Sequence, residues 1–272
     1  MEELFLQGPS AMVAESCATP TPKLEDYSNP VPPGPAGAEP ATKAAEELAM
    51  STSATTVEEA PASTPTQAIA AVYASAQVGE RFKFGCYPQG ANGEVEPIVW
   101  RVLRRDSDGL LVIAEQGLDC KKYNEERAYI TWADCTLRRW LNDEFFKEAF
   151  SSEEQSFIKT VNISNNAGPS TDDRIFLLSM DEARNLFAND RDRATKPTVY
   201  ATKNGVYASG NDERWKGNTW WWLRSRGDDG GYFAACVSID GYVNSSGGYV
   251  YVNCVPDSDG DVSVRPVCLL AI

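Results

Sequence analysis

Seven cysteines are the first residues that could do chemistry. Cys17, Cys86, Cys120, Cys135, Cys236, Cys254 and Cys268 are widely spaced, with no Cys-x-x-Cys pair to suggest zinc or dithiol exchange. A thiol becomes a nucleophile when its pKa is lowered, and histidine, the usual activator, is absent from all 272 residues. The same absence removes Ser-His-Asp machinery, His-ligated metals and the ordinary general base near neutral pH. The cysteines are expected to be mostly buried free thiols acting as small apolar side chains. Their number is odd, so not all can pair within the chain, and a Cys254–Cys268 disulfide stays open.

Three further sets were weighed for chemistry. Asp257-Ser-Asp-Gly-Asp261 alternates carboxylates as a calcium loop does. Its glycine comes too early for an EF-hand, and the twelfth position is Cys268, so an acidic turn is expected. Trp220, Trp221 and Trp222 offer ring faces for stacking. On a strand, Trp220 and Trp222 face one side and Trp221 the other, and core packing on at least one side is expected. Arg224 and Arg265 could take an anion, but pairing with the many carboxylates around them is the expected role. No enzyme, no cofactor and no metal is expected from these sets.

The elements that must hold these residues are legible in the patterning. The first twelve residues read as a cloning remnant that replaces whatever preceded Val13. Residues 13–78 read as a Pro/Ala/Ser/Thr-rich linker with short helical candidates at Ala41–Met50 and Thr66–Gln77, and seven prolines fall in 18–40. A folded domain is expected over 79–272. It opens with strands at Arg81–Tyr87, Ile98–Arg104 and Leu110–Glu115, the last two joined by the Asp106-Ser-Asp-Gly109 turn. Leu137, Trp140, Leu141 and Phe145 recur at helical spacing after a cap at Asp134. Ser151-x-x-Glu154 and Ser179-x-x-Glu182 read as capping boxes, and Arg174–Leu178 as a short buried strand. Early strands, central helices and late strands make an α+β domain. The formal net charge is −14, of which −8 falls in residues 1–78, leaving −6 for 79–272. That balance argues against nucleic acid as a partner. No apolar run reaches the ~18 residues of a transmembrane helix.

The tail has a composition of its own. In residues 228–263, 25 of 36 are Asp, Asn, Gly, Ser, Tyr or Cys, while Lys, Glu, Gln, Met and Trp are missing. Random replacement of the adenines in Asn codons that end in a pyrimidine gives this alphabet and can never give those five. Turn-rich β structure gives a similar one. Valines recur as spacers at 237, 243, 250, 252, 255 and 262, a spacing that could hold a scaffold while the residues between face solvent.

Several motifs, in order, carry a resemblance. They are Ile130-Thr-Trp-Ala-Asp-Cys-Thr-Leu-Arg-Arg-Trp-Leu-Asn142, Phe150-Ser151, Ile175-Phe-Leu-Leu-Ser179, Trp220-Trp-Trp-Leu-Arg-Ser225 and Val264-Arg-Pro266. Together with the tail they resemble the C-type-lectin-fold variable proteins of diversity-generating retroelements, a clade related to formylglycine-generating enzymes. The resemblance covers about 79–272. It implies a C-type lectin fold with formylglycine-generating-enzyme-like elaborations and a variable region at about 220–266. In that region Trp221, Trp222, Leu223, Arg224, Ser225, Val264, Arg265 and Pro266 match framework. The expected variable, ligand-binding positions are Asp228, Asp229, Tyr232, Cys236, Ser238, Asp240, Tyr242, Asn244, Ser245, Ser246, Tyr249, Tyr251, Asn253, Asp257 and Ser258. The valines, Ala234, Ala235 and Gly241 are expected to be scaffold, and Tyr232, Tyr242, Tyr249 and Tyr251 the anchors of binding. The resemblance implies display at the cell surface or export. The expected partner is a protein or cell-surface ligand met by a monomer. Six acidic residues against Arg265 in 227–272 favour a basic or amide-rich one. A fixed adhesion relative and an oxidase are the alternatives.

Overall fold

The computed structural model describes residues 75–210, 213–228, 230–251 and 262–272. The Ala41–Met50 candidate, Cys17, Cys254, Asp229, Asn253 and the Asp257–Asp261 turn lie outside them. So does all but the end of the Thr66–Gln77 candidate. The fold is mixed α+β and mostly strand.

The expected opening strands form an antiparallel meander of β1 (Arg81–Pro88), β2 (Val95–Asp106) and β3 (Gly109–Ala114). Alternation on β2 turns Ile98, Trp100 and Val102 inward, whereas β3 is covered on both faces and is apolar throughout. The turn between them forms as expected, with the Asp106 carboxylate accepting from Asp108 N at 2.9 Å. The chain's last strand, β12 (Val267–Leu270), enters this sheet between β3 and β7 (Ile175–Phe176). The core starts earlier than Val78, because Ala76 is buried while Val78 is exposed.

A second five-stranded sheet carries the tail. Its order is β10 (Val243–Tyr249), β9 (Phe233–Val237), β8 (Trp221–Arg226), β11 (Ser263–Val264) and β4 (Asp119–Cys120). β11 lies parallel to β8 and antiparallel to β4. Arg265 and Pro266 then lead the chain from this sheet into the first. Leu118 N donates to Val264 O and Ala114 N to Pro266 O, each at 2.9 Å, so the crossing is fixed by backbone. A small third sheet pairs β5 (Val161–Ile163) with β6 (Thr171–Asp173).

Both expected capping boxes form, at Ser151 before the Ser152–Phe157 helix and at Ser179 before the Met180–Asn185 helix. The Thr136–Trp140 helix starts one residue later than its pattern predicts. Its cap is Cys135, whose sulfur accepts from Arg138 N at 3.4 Å, while Asp134 accepts from Thr131 Oγ1. The helix widens into a π turn over Leu141–Phe145 before Phe146–Ala149. There Asn142 takes the backbone N–H of Arg174 and Ile175 and gives to Ile175 O, which ties β7 to the helix. Of Arg174–Leu178, only Ile175–Phe176 is strand, and Arg174 is exposed.

The tryptophans and arginines settle into the frame. Trp221 and Trp222 are both fully buried, so β8 is covered on both faces and offers no stacking platform from those two rings. Arg224 pairs with Glu182 of the Met180–Asn185 helix, not with a tail carboxylate. Arg265 departs further from expectation, since no carboxylate pairs with it among the described residues. It is buried, donates to Ala114 O and Arg193 O, and lies over the Trp221 and Phe187 rings. Burial pushes its pKa down to about 10, so it stays charged at neutral pH. Cys86 is disulfide-bonded, while Cys135, Cys236 and Cys268 are free thiols. A Cys254–Cys268 bond is thereby ruled out.

Candidate ligand-binding surface

The β8–β9–β10 part of the second sheet is held by backbone. Ser238 N donates to Tyr242 O and Gly241 N to Ser238 O, which closes the β9–β10 turn. At the other end Gly227 N donates to Phe233 O, Asp228 N to Ser245 O, and Val250 N to Tyr232 O. Apolar pegs complete the support. Ala234, Ala235, Val237, Val243 and Val250 are buried as expected. The β9–β10 register shifts between Asn244 and Gly248, and there Gly247 takes φ +73° where a Cβ would strike Ala234 O.

A loop outside the tail is stitched to it in the same way. Asn124 N donates to Val250 O at 2.7 Å and Ile130 N to Gly231 O at 3.0 Å. Asn124 itself is buried. Its amide gives to Glu126 O at 2.9 Å and accepts from Thr136 N at 3.1 Å, which fixes the loop's shape. Beneath it, Trp222 Nε1 donates to Lys121 O and Tyr123 OH to Arg224 O.

On this frame the side chains gather into an aromatic cluster. Tyr129 lies tilted against Tyr232 with ring centroids 4.1 Å apart, and Phe233 against Tyr249 at 4.3 Å. Tyr249 and Tyr251 lie 5.5 Å apart. Arg127 bridges the two groups, 5.6 Å from the Tyr232 ring and 5.3 Å from that of Tyr251. Tyr129 is 71% exposed. Patterning did not pick out Arg127, Tyr129 or Asn124, since a charged loop without periodicity gives no signal. The one available hint was their closeness in sequence to the Ile130–Asn142 motif.

The expected variable residues divide into groups. Asp228 and Ser246 are exposed, and Tyr232, Ser245, Tyr249 and Tyr251 are half-buried around the cluster. Tyr242 is 59% exposed but sits at the far turn, a strand length of roughly 20 Å away, so the four expected anchors do not share one patch. Cys236 is a correction: it is fully buried on β9, facing the core between Ala235 and Val237. Burial pushes its thiol up to about 12, the opposite of activation. Ser238 is also buried and, like Asp240 and Asn244, serves the backbone. Ser238 donates to Asp240, Asp240 accepts from Tyr242 N at 3.1 Å, and Asn244 accepts from Gly247 N at 3.2 Å. Asp229, Asn253, Asp257 and Ser258 lie outside the described residues. Cys268 is in the core of β12 with its thiol pushed up by burial.

A family model described as "Domain of unknown function (DUF6273)" matches residues 107–272, more than half of the chain. The chain belongs to the DUF6273 family. The match begins in the β2–β3 turn and takes in the second sheet, the Asn124 loop and the whole tail. No curated protein and no solved structure matches the chain. The aromatic cluster of this DUF6273 chain is built from side chains on a surface whose backbone bonds do not depend on their identity. That arrangement suits noncovalent contact, because Tyr gives a large contact at low entropic cost and Arg is enriched at interfaces.

Proposed function

We propose that this is a ligand-binding protein whose tail is diversified by a retroelement and displayed on a C-type-lectin-like scaffold with formylglycine-generating-enzyme-like elaborations. The observation that carries the reading is the division of labour along β9 and β10. Main-chain hydrogen bonds and small apolar residues hold the strands, while Asp228, Tyr232, Tyr242, Ser245, Ser246, Tyr249 and Tyr251 face outward or half outward. Side chains in such places can be exchanged at little cost to the fold. The tail alphabet supports diversification, and the Trp222–Ser225 and Val264–Pro266 segments that flank it are buried framework. The ligand is a protein or another cell-surface molecule, and the protein meets it as a monomer without catalysis. Export fits the disulfide at Cys86, a bond of oxidising compartments. No helix among the described residues is long and apolar enough to cross a membrane.

The test is deep sequencing of the coding region from a population of the source organism. Substitutions should concentrate at the seven outward positions and spare Trp222, Val237, Val243 and Cys236. A template repeat with Asn codons at the changing sites, beside a reverse transcriptase gene, should accompany them. Substitutions spread evenly over the domain, or a tail that never varies, would overturn the reading.

A further inference from the structure

The aromatic cluster has a cation at its centre, and that cation comes from outside the tail. The Arg127 guanidinium carbon lies over Tyr232 and Tyr251, 5.6 Å and 5.3 Å from their ring centroids, and a guanidinium held by rings keeps its five N–H donors for other partners. No carboxylate pairs with it among the described residues, and it is exposed. Its neighbour Glu125 is engaged by Lys122 at 3.3 Å. The loop that carries it is pinned by Asn124 and by the Ile130–Gly231 hydrogen bond, so the guanidinium is presented in place. On either side lie exposed or half-exposed rings, Tyr129 and Tyr232 on one and Tyr249 and Tyr251 on the other.

We propose that Arg127 is a constant specificity residue of this surface, committing it to a protein segment that places a single carboxylate between apolar side chains. The inference rests on the ligand-binding reading of the tail. A guanidinium without a carboxylate partner recognises carboxylates bidentately, and Tyr with Arg is the composition of interface anchors. A lone carboxylate fits better than an acidic run, because residues 79–272 carry a net −6 and would repel one. The tail's own acidity does not decide the partner. Asp240 is taken up in a turn, whereas Arg127 stands among the rings. The variable positions would then tune what packs beside a fixed ionic contact.

The experiment titrates isotope-labelled protein with three peptides and follows amide and Arg Nε shifts by NMR. The first is acetyl-Gly-Leu-Asp-Leu-Gly-amide and the second its Asn analogue. The third is acetyl-Gly-Leu-Gly-Leu with a free C-terminus, which separates a side-chain carboxylate from a terminal one. Binding of the Asp peptide or the free-acid peptide should shift Arg127, Tyr129, Tyr232 and Tyr251, and be about fivefold tighter than that of the Asn peptide. R127Q should abolish the difference and R127K keep part of it. Equal binding of the Asp and Asn peptides at these residues would overturn the carboxylate inference and leave the ligand-binding surface standing. Shifts elsewhere, or none, would overturn the inference too, while population sequencing of the tail judges the broader reading separately.

Discussion

Cys236 and Tyr242 belong to the same tail alphabet, yet the structure gives them opposite tolerance to one replacement. Tyr242→Asp puts a carboxylate on a turn where the native ring is 59% exposed, so the change should stay within about 0.5 kcal/mol. Cys236→Asp puts it on β9 at a fully buried site. At pH 7 the new carboxyl must be neutralised against a pKa of about 3.9, a cost of about 4 kcal/mol. Burying the neutral acid without a partner adds about 1–3 kcal/mol, for a total of about 5–7. A domain of this size loses about 2–4 °C per kcal/mol, so C236D should melt at least 10 °C below the native chain. Y242D should stay within about 2 °C of it. The pH dependence supplies a second check. The buried Asp has a folded pKa above its unfolded one, so the ~4 kcal/mol ionisation part of its penalty at pH 7 falls away towards pH 4, while the ~1–3 kcal/mol for burying the neutral acid remains. Each variant is compared with the native chain at both pH values by circular dichroism melts, with C236S as a milder uncharged probe. A C236D protein melting beside the native chain at pH 7 would refute the placement of β9, and with it the separation of scaffold from display positions.

Other substitutions probe the frame. E182Q should cost about 2–4 kcal/mol by urea denaturation, because it leaves the Arg224 guanidinium buried without its counter-charge. Burial alone would raise the Glu182 pKa, but hydrogen bonds from Arg224 and Ser179 hold it below 4.5. The pair's contribution is therefore complete above pH 4.5 and lost as pH falls through the lowered value, and E182Q should flatten that acid limb. N124A removes a buried amide with two partners and should cost about 2 kcal/mol, with faster hydrogen exchange at the Asn124 N–H that bonds Val250. G247A should cost about 2–4 kcal/mol in the same denaturation assay, since the residue is left-handed and a Cβ would strike Ala234 O. A neutral result for any of the three would show that its contact is not holding the tail sheet.

Much of the frame was local and therefore written in the chain. The Asp106–Gly109 hairpin, the capping boxes at Ser151 and Ser179 and the inward valines at 237, 243 and 250 each follow from propensity or period over a few residues. The shift of the helix cap from Asp134 to Cys135 shows the limit of such signals, because a one-residue choice depends on which side chain the fold leaves free. Burial of the tail residues was half legible. Period two put Val237 and Ala235 inward, but it could not say that Cys236, on the opposite face of β9, is inward as well. That requires β9 to be covered on both faces, a fact of layering and not of sequence.

The sequence by itself determined a chain without histidine, an acidic α+β domain and a tail drawn from a restricted alphabet. Only the tertiary structure decided which of those tail residues meet solvent, that Tyr242 stands apart from the other three tyrosines, and that Arg127 joins Tyr232 and Tyr251. The reason is physical. Propensity and periodicity act through neighbours in the chain. The Arg127 cluster instead depends on hydrogen bonds between the loop and the tail, Asn124 to Val250 and Ile130 to Gly231, across more than a hundred residues.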